Sequence, residues 1–206
     1  CVNTLVVRPD GSLYGHNTDI GGFIHMLKTT GIDPKGKKAL ILGSGGTCLT
    51  ATAALKRLGA SEICVVSRRG PLNYENLYDL HSDAEILVNA SPAGMYPANG
   101  VCHVDLSRLP RMKGVADVVY NPERTALILD AQALHIRCAS GLPMLVAQAR
   151  EAAELFAGRK ISAERDAAIC GESKSQTLRL ILVGMPGCGK SSLGRILSQE
   201  MNRPCV

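Results

Sequence analysis

The chain has 206 residues, 46% hydrophobic and 20% charged, which suits one soluble globular domain with room for part of another. Its net charge of +5 is spread along the sequence without a basic run, which argues against a nucleic-acid partner and fits small anionic ligands. Aromatic residues make up 3% and Trp is absent, so the core must be aliphatic, as in a parallel sheet buried under helices.

In chain order, residues 2–15 read as a hairpin, with Arg8-Pro9-Asp10-Gly11 supplying the turn. Asn17-Thr18-Asp19 offers capping side chains for a helix that runs through Phe23, Met26 and Leu27 and stops near Gly31. A β-α-β pattern begins at Lys38. Ala39 to Leu42 is a short buried strand, Thr47 to Leu58 a helix, and Ile63 to Val66 a second strand. Ile86 to Val88 and Val115 to Val119 read as further strands, and Leu142 to Phe156 as a helix with Pro143 in its first turn and Gly158 after it. Strands alternating with helices in this way predict an α/β, Rossmann-like, doubly wound parallel sheet. Residues 159–177 are polar and read as a linker. Leu178 to Val183 then reads as another strand, followed by a second glycine-rich loop and a helix.

Eight cysteines are scattered without a C-x-x-C pair or a metal-ligand spacing, and the five histidines are dispersed. The pattern predicts reduced thiols in a cytoplasmic protein and no metal. No apolar run approaches the roughly 18 residues that would span a membrane, so no membrane partner is expected.

Gly43-Ser44-Gly45-Gly46 follows a strand and opens a helix. Glycines let a backbone turn tightly and approach a pyrophosphate, and the helix N-terminus turns free N–H groups toward the anion. An NAD site places an acidic residue about 20 residues on, to hold the ribose 2′-hydroxyl. Ser67-Arg68-Arg69 stands there instead. A guanidinium can hold a 2′-phosphate that a carboxylate would repel, so the predicted cofactor is NADP(H).

Six segments resemble shikimate dehydrogenases, in the order found in that family: Val2-Asn3-Thr4, Asn17-Thr18-Asp19, Gly43 to Gly46, Val88 to Met95, Asp117 to Pro122, and Gly141 to Gln148. The resemblance spans about residues 1–158. It implies NADP-dependent interconversion of 3-dehydroshikimate and shikimate, in aromatic amino acid biosynthesis. Asn3, Asp19, Tyr120 and Gln148 match substrate contacts, and Asp19 also matches the partner of the catalytic lysine. Gly43, Ser44, Gly45, Gly46 and Thr47 match the pyrophosphate loop, and Ser67 and Arg68, with Arg69 beside them, the 2′-phosphate clamp. Val118 and Gly141, with Met144 nearby, match positions beside the nicotinamide. Ser91 and Ala93 stand where threonine and leucine are commoner in the family.

None of the lysines here occupies the family's catalytic motif. The chain is therefore expected to bind NADP(H) without turning over shikimate at a useful rate. Residues 1–18 are expected to be the end of the family's substrate domain, and residues 19–158 its NADP-binding domain. A quinate/shikimate dehydrogenase is the chemical neighbour, but it would be expected to show an acidic residue near position 67. A non-catalytic NADP-binding module is the alternative from another class. A homodimer is compatible with each.

Gly184-Met185-Pro186-Gly187-Cys188-Gly189-Lys190-Ser191 fits G-x-x-x-x-G-K-[ST] in full. In that motif backbone N–H groups cradle phosphates, the lysine (Lys190) reaches the β- and γ-phosphates, and the serine (Ser191) ligates Mg²⁺. The stretch 178–206 resembles the opening of shikimate kinase, which implies a dehydrogenase–kinase fusion. ATP and Mg²⁺ would belong only to a complete kinase part. No kinase activity and poor order after about residue 158 are expected, because a strand needs neighbours to pair with.

Overall fold

A computed structural model of the chain describes residues 2–177, 180–183, 185–186 and 188–201. It divides into two units, Cys1–Cys170 and Gly171–Val206.

The first unit opens with an antiparallel hairpin. Strand β1 (Thr4–Val7) pairs with β2 (Leu13–His16), with Thr4 opposite His16 and Val7 opposite Leu13. The Asp10 carboxylate accepts from the backbone N–H and hydroxyl of Ser12, which closes the turn. Helix α1 (Thr18–Thr29) is capped by Asn17, whose side chain accepts from the Ile20 N–H at 3.1 Å.

The remaining elements of this unit form a five-stranded sheet and its covering helices. They are β3 (Lys38–Leu42), α2 (Gly46–Arg57), β4 (Glu62–Val66), α3 (Leu77–His81), β5 (Ile86–Asn89), a 3₁₀ turn at Leu106–Arg108, β6 (Gly114–Asp117), α4 (Ala126–Ala133), β7 (Arg137–Ala139) and α5 (Leu142–Ala157). All pairings are parallel, in the order β4-β3-β5-β6-β7. Alternate strand residues face opposite sides. Ala39, Ile41, Ile86 and Val88 pack with Phe23, Met26 and Leu27 of α1 and Ala51 and Leu55 of α2. Leu40, Leu42, Leu87 and Val115 pack on the other face with Leu77 of α3, Leu106, Leu109 and Leu127 of α4. The sheet is thus covered on both faces, and its strand order reverses between β3 and β5. In such sheets ligands bind outside the carboxyl ends of the strands at that reversal.

Of the sheet strands and α-helices just named, three are absent from the sequence reading, each for a local reason. Helix α3 is five residues long. Helix α4 begins Ala-Leu-Ile-Leu, an apolar run without a helical stripe, and is fixed by its cap, where the Thr125 hydroxyl accepts from the Ile128 N–H. Strand β7 has three residues and opens on an exposed Arg137. Strand β6 also ends two residues earlier than expected, because Asp117 turns its carboxylate onto the Val119 N–H at 3.0 Å.

The segment read as a linker contains a helix, α6 (Glu164–Thr177). Its first half belongs to the first unit. Asp166 is 3% exposed and receives the Arg150 guanidinium of α5 on both oxygens at 3.0 Å. A buried acid met by the Arg150 Nε–H, shared between its two oxygens, holds the chain where polar composition alone suggests a free tether.

In the second unit, α7 (Lys190–Glu200) starts at Gly189, which adopts φ +83°. Among the described residues, Leu180 to Val183 form no strand, contrary to expectation, and Ile181 and Val183 are exposed. Among the described residues no strand pairs with them, and a lone aliphatic run has nothing to hold it extended. Of the expected strand–loop–helix, the described residues show the helix.

Candidate functional site

The parallel strands all end on one edge of the sheet, and the loops that leave that edge carry the sequence motifs. Gly43 ends β3 with φ +99°, and its N–H donates to the Val66 carbonyl at 2.8 Å. A Cβ at Gly43 would lie 3.0 Å from the Ser91 Cβ and 3.2 Å from the Ala90 oxygen. The loops after β3 and β5 therefore cross at the strand reversal through a position that only glycine fits. Ser44, Gly45 and Gly46 are exposed, and Gly45 caps α2 without a side-chain hydrogen bond. A Cβ on Gly45 or Gly46 would meet nothing within 4 Å. The space beside Gly45 and Gly46 at the α2 N-terminus is thus open, which leaves both the room and the partial positive charge that a phosphate needs.

Ser67 follows β4 directly, and β4 pairs with β3 so that Val66 lies opposite Leu42. A short turn follows, in which the Ser67 N–H donates to the Leu72 carbonyl, and Arg68 and Arg69 are exposed on it. Two guanidinium groups therefore stand one strand over from the glycine loop.

Beneath the neighbouring loops lies a buried polar network. Asn89 and Asp117 are register partners at the ends of β5 and β6. Asp117 is 0% exposed and accepts from Asn89 Nδ2 (2.9 Å), Val119 N (3.0 Å) and Thr125 Oγ1 (2.6 Å). Burial pushes its carboxyl above the usual range, against the pull of these donors. Asn89 Oδ1 accepts from the backbone and hydroxyl of Ser91, and its Nδ2 also donates to the Ala93 carbonyl. Two strand ends, the cap of α4 and the segment before Tyr120 are tied to this one carboxylate.

The next loop is fixed by close backbone approach. The Gly141 N–H donates to the Val119 carbonyl at 3.0 Å, and a Cβ on Gly141 would overlap the Val118 carbonyl. Helix α5 starts there. It packs against α1 so closely that a Cβ on Gly22 would lie 2.6 Å from the Met144 oxygen.

These contacts bring Asp19, Thr47, Val118, Tyr120, Gly141, Met144, Leu145 and Gln148 around one open cleft of about 210 Å³. Gln148 Oε1 is buried within the molecule without a hydrogen-bond partner, an acceptor left for a donor from outside the chain. Tyr120 is 51% exposed at the cleft. Asn3 does not line it. Asn3 holds Asp19, its Nδ2 donating to Asp19 Oδ1 at 2.9 Å and to the Thr18 hydroxyl at 3.1 Å, while its Oδ1 accepts from the Thr18 N–H. Ser44, Ser67, Arg68 and Arg69 lie at the adjoining ends of β3 and β4, outside the cleft lining, and Thr47 of α2 joins the two regions.

Of the second glycine motif, Gly184 and Gly187 lie outside the described residues. Gly189 caps α7, Ser191 is exposed in its first turn, and the Lys190 ammonium donates to the Met185 carbonyl at 2.6 Å.

Sequence reasoning missed Leu145 and the network around Asp117. Leu145 carries no chemical signal, being one aliphatic residue in an amphipathic helix. Asp117 does carry one, since it is a carboxylate inside the aliphatic run Val115 to Val119.

No family model matches the chain. It is 31% identical to a shikimate dehydrogenase (NADP(+)) of Clostridium perfringens, over 84% of this chain and 68% of that one. Its fold matches the crystal structure of a chorismate mutase/shikimate 5-dehydrogenase fusion protein from Clostridium acetobutylicum with a TM-score of 0.78 at 29% identity, over 85% of this chain and 67% of that one. It also matches a shikimate 5-dehydrogenase from Thermus thermophilus, solved in complex with NADP(H) and shikimate, with a TM-score of 0.70 at 29% identity, over 84% of this chain and 68% of that one. The chain thus spans about two thirds of the length of these relatives.

Proposed function

The chain belongs to the shikimate dehydrogenase family, and on that premise we propose that it is the NADP(H)-binding part of an enzyme interconverting 3-dehydroshikimate and shikimate. The observation that carries this reading is the cleft, where Asp19, Tyr120 and Gln148 face Val118, Gly141 and Met144. A small polyol needs convergent polar groups, and a hydride acceptor must lie beside them against an apolar wall. A site built to hydrogen-bond hydroxyls rejects analogues that lack them.

Gly43 to Gly46 and Thr47 would hold the pyrophosphate at the α2 N-terminus, and Ser67, Arg68 and Arg69 the 2′-phosphate. Val118, Gly141 and Met144 would flank the nicotinamide. NADPH, when bound, supplies the hydride. The unpartnered Gln148 Oε1 would accept from a substrate hydroxyl. Asp19, held by Asn3, would bind a second hydroxyl and orient the lysine that handles the proton. Among the described residues no lysine lines the cleft, so this chain alone should bind NADP(H) and catalyse little turnover.

The motif from Gly184 to Ser191 supports a second, narrower reading, a kinase-like ATP segment fused behind the dehydrogenase part. With no strand ahead of its loop among the described residues, this chain is not expected to phosphorylate shikimate.

The test is calorimetric titration of the full chain with NADPH and with NADH. NADPH should bind at least about tenfold more tightly, as one charge-assisted contact to a phosphate suffices for that. Equal affinities would overturn the NADP reading.

A further inference from the structure

Away from the cleft, near the opposite end of the sheet, three side chains with metal-ligand chemistry converge. Glu62 and Cys64 are two residues apart on β4, so both point to the same side of this edge strand. His81 closes α3, which packs on that side. Cys64 Sγ lies 3.2 Å from Glu62 Oε1 and 3.9 Å from His81 Nδ1, and the three donor atoms all fall within 4.8 Å of one another. A tetrahedral zinc ion with bonds of about 2.3 Å to sulfur and about 2.0 Å to nitrogen or oxygen sets its ligand atoms about 3.5 Å apart. The separations of 3.2 and 3.9 Å bracket that value. From sequence the triad is invisible, because His81 lies 17 residues beyond Cys64 and no ligand spacing announces it.

The surroundings act as an outer shell. Lys38 Nζ lies 3.4 Å from Glu62 Oε2 and 2.9 Å from Asp83 Oδ1. Lysine thereby takes one carboxylate oxygen and leaves the other turned to the thiol, which is how outer partners orient a metal ligand. Without a metal, burial and the neighbouring Glu62 carboxylate push the Cys64 thiol up to about 11. A dication at this point reverses the balance, since a coordinating thiol gives up its proton.

We propose that Glu62, Cys64 and His81 form a binding site for one zinc-class divalent cation, with water in the fourth position. The cation binds the thiolate sulfur, the carboxylate oxygen and the imidazole Nδ1, and the single thiol proton leaves to solvent. No electron is transferred. The bound ion ties the edge strand β4 to α3 and so protects an exposed sheet edge.

The experiment titrates the metal-free full chain with Zn²⁺ and Co²⁺ under reducing conditions. One equivalent should bind, with a thiolate-to-cobalt charge-transfer absorption. Cys64→Ser should abolish that absorption, and His81→Ala, which removes a ligand, should weaken affinity by at least the roughly tenfold to hundredfold that losing an outer-shell partner costs. Cys188→Ser, in the second unit, should change neither. Thermal melts of the metal-free variants check that each is folded, and His81→Ala, at a half-buried helix end, is the variant that keeps the test open if Cys64→Ser is not. Absence of stoichiometric binding overturns the proposal. So does binding that survives Cys64→Ser and His81→Ala unchanged, or that is lost with Cys188→Ser.

Discussion

Gly43 to Gly46 leave a strand with β4 on one side and β5 on the other, whereas the loop around Gly189 follows Leu180 to Val183, which form no strand. The second loop has the fuller motif, yet the first has the better-defined surroundings. Its turn is pinned by the Val66 carbonyl, its crossing by Ser91 and Ala90, and its helix by a packed core. Lys190, by contrast, donates to the Met185 carbonyl of its own loop. Glycine permits a phosphate cradle, and a paired sheet positions it.

If the sheet is what makes the first loop a site, the largest effects belong to the groups that fasten its strand ends. Asp117→Ala would leave Asn89, Val119 and Thr125 with unpaired buried donors. We expect a loss of about 3 kcal/mol or more in urea denaturation, at roughly 1 kcal/mol or more for each orphaned donor. Ser191→Ala in α7 should change stability by less than about 0.5 kcal/mol. Comparable losses from the two would erase the contrast.

Next come the glycines themselves. Gly43→Ala forces φ +99° on a residue with a Cβ and presses it against Ser91, so about 2 kcal/mol of stability should go, together with about tenfold in NADPH affinity. Gly189→Ala strains a similar conformation, φ +83°, but a Cβ there meets open space. The main thermal transition and NADPH binding should not move. A shift in either would mean that the second loop supports the first unit.

Arg68→Ala sharpens the contrast at the level of charge. If Arg68 clamps the 2′-phosphate as proposed, the change should weaken NADPH by about tenfold and leave NADH, which lacks that phosphate, unaffected. Lys190→Ala, at the other loop, should alter neither affinity. Calorimetry on the two variants separates a specific clamp from general positive charge.

Much of the first unit was legible because its signals are local. Aliphatic runs such as Ala39 to Leu42 and caps such as Asn17 write strands and helix starts directly into the sequence. The cleft was legible through the motifs around Asp19, Val118, Gly141 and Gln148. What was hidden depends on chain-distant partners. Asp117 looks like a flaw in a strand until Thr125 and Asn89 arrive. Glu62, Cys64 and His81 become a cluster only when α3 folds onto β4. Asp166 reads as linker until Arg150 reaches it.

The smallest effect tests where the first unit ends. Glu154 accepts from the Ile161 N–H, the Lys160 ammonium and the Arg150 guanidinium, each at 3.0 Å. The Ile161 N–H above all, then Lys160 and Arg150, hold its carboxyl at about 2 instead of the ordinary 4.5. The folded chain therefore favours the charged form. The stability this gives is complete above pH 4.5 and is lost as pH falls toward 2. Asp117 acts in the opposite sense, since burial raises its carboxyl and protonation relieves a buried charge. The difference in unfolding free energy between the native chain and Glu154→Gln isolates the first of these. It should be constant near neutrality and shrink steadily through that acid window. A difference that stays flat to the acid end would mean that Lys160 and Ile161 are not fastened to α5, and that the first unit stops at Gly158.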